Sequence, residues 1–149
     1  MDAGATRDIT GLKVKQSGVI RNIRTIRVMD DGTLRTVAVF ADPLTVNAND
    51  VSGSGAGTSG ATVTTSQSLA APSGGFGPYT YAWTLFSNSG GTASTALTPS
   101  SASTAFRKTN VGAESAVTDS WQVTVTDSVG STASTIITAA FVNISGGLS

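Results

Sequence analysis

Strict alternation in three stretches of this chain governs what it can fold into. In Tyr79-Thr80-Tyr81-Ala82-Trp83-Thr84-Leu85 every second residue is large and apolar, and the same period runs through Trp121-Gln122-Val123-Thr124-Val125 and Ile137-Thr138-Ala139-Ala140-Phe141. A period of two sends successive side chains to opposite faces of a strand, so each stretch has one apolar face and one face of small or hydroxyl-bearing residues. The expected core is therefore Tyr79, Tyr81, Trp83, Leu85, Trp121, Val123, Val125, Ile137, Ala139 and Phe141, joined by Val63, Leu69 and Phe106.

Strands are expected over 61–69, 79–86, 103–107, 120–126 and 132–144, with shorter ones at 44–48 and 92–97, separated by clusters of Gly, Pro, Ser and Asn. About seven short strands with turn signals at this spacing predict an all-β chain built around an antiparallel sandwich of immunoglobulin-like type. The segment Ser52-Gly53-Ser54-Gly55-Ala56-Gly57-Thr58-Ser59-Gly60 reads equally as a flexible linker, a long hairpin loop or a bulged edge strand.

Charge divides the chain. Residues 1–50 hold seven Lys/Arg and six Asp, whereas the following 99 residues hold only Arg107, Lys108, Glu114, Asp119 and Asp127. The organisation expected from this break is an N-terminal arm, residues 1–42, and a sandwich domain, residues 43–149. Within the arm, two β-branched runs flank Asp30-Asp31-Gly32-Thr33, and a Gly in so short a turn predicts a hairpin. Upstream, Ile20-Arg21-Asn22-Ile23-Arg24-Thr25-Ile26-Arg27 fits neither a period of two nor a clean helical period; a bulged strand is favoured over an amphipathic helix by its β-branching. Apolar residues interleaved with Arg on short elements suggest a surface that docks on a partner. The candidates are Arg21, Arg24, Ile26, Arg27, Val28, Arg35 and Val37, against the plainer reading of a solvated hairpin face.

Missing residue types narrow the chemistry. The chain has no Cys and no His, hence no imidazole base, thiolate nucleophile, disulfide or ordinary structural zinc site. A formal net charge of +0 supplies no field to hold nucleic acid, and no apolar run approaches the roughly 18 residues of a spanning helix. The N-terminal residues lack the pattern of a secretory signal. An enzyme would have to use carboxylates, Lys or Tyr, and no pair of acids stands at a useful separation: Asp119 and Asp127 are eight residues apart, roughly 26 Å along an extended strand, too far for a glycosidase pair or a shared calcium. Asp127, in Val-Thr-Asp-Ser-Val-Gly, is expected to accept from backbone amides of the turn before the last strand. Trp83 and Trp121 could stack on sugar, but their place on the apolar phase favours the core; Phe76, Tyr79 and Tyr81 are the better candidates for a glycan contact. No cofactor and no metal is expected.

Three segments carry a resemblance: residues 72–83, with Gly77-Pro78-Tyr79-Thr80-Tyr81-Ala82-Trp83; Ser100-Ser101-Ala102-Ser103-Thr104-Ala105-Phe106; and Val123-Thr124-Val125-Thr126-Asp127-Ser128-Val129-Gly130. Together they resemble the immunoglobulin-like and polycystic-kidney-disease-like (PKD-like) domains of tailed-bacteriophage structural proteins. In the arm, Ile26-Arg27-Val28-Met29-Asp30 and Leu34-Arg35-Thr36-Val37 resemble segments of small phage tail proteins. The resemblance implies a sandwich without catalytic residues. It also implies a place on a virion assembled in the host cytoplasm, at the tail or its tip rather than as a head decoration, with contacts to other virion proteins and to copies of itself and weak adhesion to host-surface glycan. The alternative is a bacterial surface adhesin or carbohydrate-binding module. Neither reading involves nucleic acid or insertion into a membrane.

Overall fold

The computed structural model describes residues 13–16, 19–22, 25–30, 32–39 and 41–144, and every regular element among them is a strand. The chain divides into two compact units, Met1–Asp42 and Pro43–Ser149.

Among its described residues the first unit contains two antiparallel pairs. Strand β1 (Lys13–Gln16) pairs with β2 (Val19–Asn22), and β3 (Thr25–Asp30) pairs with β4 (Thr33–Val39). The second hairpin closes at Asp30 opposite Thr33, where Gly32 takes a φ of 75°, a left-handed conformation that a Cβ would oppose. The expected bulge is present, but on the other strand. Ile26 faces Ala38 and Arg27 faces Thr36, so the extra residue is Val37 of β4 rather than any residue of the Ile-Arg run.

The second unit comprises β5 (Thr45–Asn47), β6 (Val51–Gly55), β7 (Ala61–Thr64), β8 (Ser68–Leu69), β9 (Ala71–Ser73), β10 (Thr80–Asn88), β11 (Thr95–Ala96), β12 (Ser103–Thr104), β13 (Phe106–Val111), β14 (Ser115–Thr126) and β15 (Thr132–Asn143). A four-stranded sheet has the order β10-β14-β15-β6, and a three-stranded sheet has the order β11-β13-β7; β5 pairs with β9 and β8 with β12. All pairings are antiparallel except β6 with β15. One sheet thus joins the third, sixth and seventh strands of a Greek key and the other its second, fifth and fourth, which is the arrangement of an immunoglobulin-like sandwich.

Alternation places the core. Along β14 the residues Asp119, Trp121, Val123 and Val125 are buried while their neighbours are not, and along β15 Ile137, Ala139, Phe141 and Asn143 do the same. From the facing sheet come Val63 and Phe106. Phe106 is fully buried, with its ring centroid 4.8 Å from Trp121 and 5.7 Å, edge-on, from Trp83. Such aromatic pairs add about 0.5–1.5 kcal/mol to the area they bury. The other face of the large sheet carries Thr84, Gln122, Thr124, Ile136 and Thr138, so the hydroxyl-rich composition goes to a surface without charge.

The low-complexity segment resolves as an edge strand, β6, over residues 52–55 and as the loop to β7 over residues 56–60. In β6, Ser52 and Ser54 point outward and Gly53 and Gly55 inward, and a Cβ at Gly53 would lie 2.2 Å from the Thr64 carbonyl oxygen. Glycine here lets β6 run hard against β7 while pairing with β15. Two expected core residues are corrected. Leu69 is 55% exposed because the phase slips between Thr65 and Ser68, which turns Ser68 and Ala70 inward. Leu85 is 39% exposed: β10 is an edge strand, and Phe86 is bulged out between the pairs Leu85 with Trp121 and Ser87 with Ser120, which ends its regular phase.

Candidate functional site

Two polar constellations stand at opposite ends of β14. The first lies on its inward phase, where the apolar alternation would place another hydrophobic residue. Asp119 is buried there, and Lys108, two residues beyond Phe106 on the same phase of β13, is buried opposite it. Lys108 Nζ donates to Asp119 Oδ1 at 2.8 Å, to Asp119 Oδ2 at 3.0 Å and to Asn88 Oδ1 at 3.0 Å. The ammonium also lies 5.8 Å from the centroid of the Phe141 ring. Asp119 Oδ2 accepts from the Ser94 N–H at 2.8 Å, and the Ser94 hydroxyl accepts from Trp121 Nε1 at 3.0 Å. Burial pushes the Asp119 carboxyl upward, but hydrogen bonds from Lys108 and Ser94, with the Lys108 charge, outweigh it and hold the group below its ordinary value.

The second constellation is the turn between β14 and β15. Asp127 Oδ1 accepts from the N–H groups of Val129 at 3.0 Å and Ser131 at 2.8 Å, as expected, while Oδ2 accepts from the Phe76 N–H at 3.1 Å. The Ser128 N–H returns a bond to the Phe76 carbonyl at 2.8 Å. One carboxylate therefore ties the last turn to the loop before β10. Desolvation again pulls upward, and bonds from Phe76, Ser131 and Val129 prevail, so Asp127 also sits below its ordinary value.

That loop holds the glycan candidates Phe76 and Tyr79, and Tyr81 follows on β10. Phe76, Tyr79 and Tyr81 are half-buried; both Tyr rings pack against the core, and the Tyr79 hydroxyl donates to the Gly74 carbonyl at 2.6 Å. Trp83 and Trp121 are core residues, 3% and 5% exposed, and Trp83 Nε1 donates to the Ser101 carbonyl at 3.0 Å. Of the docking candidates, Ile26 is half-buried and Arg27 exposed, on opposite faces of β3. Arg21, Val28, Arg35 and Val37 are placed by backbone register only, Arg21 opposite Val14 and Val28 opposite Arg35, and Arg24 lies outside the described residues. Two open hollows, of about 320 and 340 Å³, each border a single acid, Glu114 in one and Asp50 in the other. Among the described residues no three metal-ligating side chains cluster.

Sequence reasoning overlooked the Lys108–Asp119 pair. The signal was the alternation itself, since Asp119 continues the inward phase of Trp121 and Lys108 that of Phe106.

No protein-family model matches the chain, and neither does any curated protein. Two solved structures are similar in shape. One is the PKD domain of human KIAA0319, 16% identical over 74% of this chain and 90% of that one, with a TM-score of 0.46. The other is a conjugative transposon lipoprotein from Bacteroides eggerthii, 18% identical over 65% of this chain and 96% of that one, with a TM-score of 0.36.

Proposed function

We propose that this chain is a non-enzymatic structural protein of a tailed-bacteriophage particle, at the tail or its tip, that docks through residues 1–42 and displays the immunoglobulin-like sandwich. The observation that carries the reading is the division at Asp42/Pro43, where contact and charge break together. On one side stands a sandwich with its own core, its buried polar side chains all hydrogen-bonded among the described residues. On the other stand two-stranded pairs in a unit whose residues hold five of the six Arg. A lone two-stranded hairpin is marginal in water, so this unit gains most from a neighbour, other virion proteins or further copies of itself on a symmetric particle. The phage setting rests on the sequence resemblance.

Weak host-surface glycan adhesion, if it accompanies display, falls to the loop of Phe76 with Tyr79 and Tyr81. Proteomics of purified particles tests the setting: the reading requires the chain at a fixed copy number, and particles lacking it would refute the proposal.

A further inference from the structure

Where the end of β10 meets β13 and β14, three side chains of complementary reactivity converge from three strands: the amine of Lys108, the carboxamide of Asn88 and the carboxylate of Asp119. The amine and the acid are buried, with side chains 2% and 0% exposed, while Asn88 opens to solvent. The carboxamide is held in one orientation, its Nδ2 donating to the Gly91 carbonyl at 2.9 Å and its Oδ1 accepting from the Gly90 N–H at 3.1 Å. An amine 3.0 Å from an amide oxygen, a proton acceptor 2.8 Å from that amine and a backbone donor on the amide oxygen are the parts of an acyl transfer.

We propose that Lys108 and Asn88 form an intramolecular isopeptide bond, with Asp119 carrying the proton. The resting pair is charged; reaction requires Asp119 to take a proton from the Lys108 ammonium across their 2.8 Å hydrogen bond, leaving a neutral amine and a neutral acid. The Nζ lone pair adds to Asn88 Cγ, and the Gly90 N–H meets the charge developing on Oδ1. Asp119 gives its proton to Nδ2 and takes one from the attacking nitrogen; the Cγ–Nδ2 bond breaks and ammonia leaves through the exposed side of Asn88, carrying away the second proton as ammonium. One C–N bond forms, one breaks, and nothing is oxidised or reduced. Fixed juxtaposition supplies the rate, because such placement replaces a bimolecular encounter. The product ties β10 of one sheet to β13 of the other and leaves Asp119 accepting from the new amide N–H and from Ser94. For a displayed domain that is a covalent lock between its sheets.

Fragment-mapping mass spectrometry of the denatured full chain tests this. The expected result is a branched fragment joining the segments that contain Asn88 and Lys108, lighter than the two linear fragments together by one ammonia. Lys108→Arg and Asp119→Ala should each restore linear fragments. Linear fragments with intact Lys108 and Asn88 in the unsubstituted chain would overturn the proposal. So would loss of ammonia at Asn88 that persists in Lys108→Arg, since that marks a cyclic imide formed with Ser89.

Discussion

Lys108 Nζ stands 2.8 Å from Asp119 Oδ1 with both side chains sealed from water, a cation from one sheet meeting an anion from the other inside the sandwich. Breaking such a pair costs more than the pair contributes, because the remaining charge stays buried. Asp119→Ala should therefore destabilise the domain by about 3–5 kcal/mol in denaturant titration. The double replacement Lys108→Met with Asp119→Leu should be more stable than either single variant; a double variant as unstable as Asp119→Ala would show that the cost lies elsewhere.

Trp83 fills space beside Phe106 and satisfies the Ser101 carbonyl. Trp83→Ala should cost about 3–5 kcal/mol, enough to unfold a domain of ordinary stability. Tyr79→Ala, at a half-buried site, should cost visibly less. Equal losses measured by thermal unfolding would contradict the burial difference.

How much of this was legible follows the physics of alternation. Trp83, Trp121, Val123, Val125, Phe106 and Phe141 could be assigned to the core because strand phase is a local property that residues declare in pairs. Leu69 and Leu85 could not, because a slip after Thr65 and a bulge at Phe86 are decided by how neighbouring strands pair. The Ser-Gly run concealed β6 for a similar reason: Gly53 answers to the Thr64 backbone, a close approach that exists only once β6 packs against β7. Asp127 was legible from its turn, but its bond to the Phe76 amide, 51 residues away, was not.

Acid should loosen the Asp127 latch in a defined direction. Its carboxyl sits below the ordinary value of 3.8, so its contribution is fully present above that pH and is lost as pH falls through the lower folded value; Asp119 acts in the same sense. Thermal stability should therefore fall as pH is lowered through and below 3.8, and Asp127→Asn should flatten part of that decline. The same variant should speed hydrogen exchange at the Phe76 amide at neutral pH. An unchanged acid limb and unchanged exchange would remove Asp127 from this role.

Gly53 offers a steric test. A methyl group there would meet the Thr64 carbonyl oxygen at 2.2 Å, too close for β6 to keep its place beside β7. Gly53→Ala should cost about 1–3 kcal/mol by overpacking, whereas Ser52→Ala, facing outward on the same strand, should be near neutral. Equal stability of the two variants in urea titration would mean that β6 does not hold this register.

Particle incorporation tests most directly the claim that residues 1–42 attach and residues 43–149 display. Full-length chain and a chain beginning at Pro43 would be supplied during phage assembly, and purified particles analysed by mass spectrometry. The account predicts that the full chain is incorporated and that the truncated chain stays folded and soluble but absent from particles. Charge reversal at Arg24 and Arg27 should reduce incorporation without unfolding the sandwich. Truncated chain found in particles at the copy number of the full chain would contradict the account, because the sandwich itself would then make the attachment.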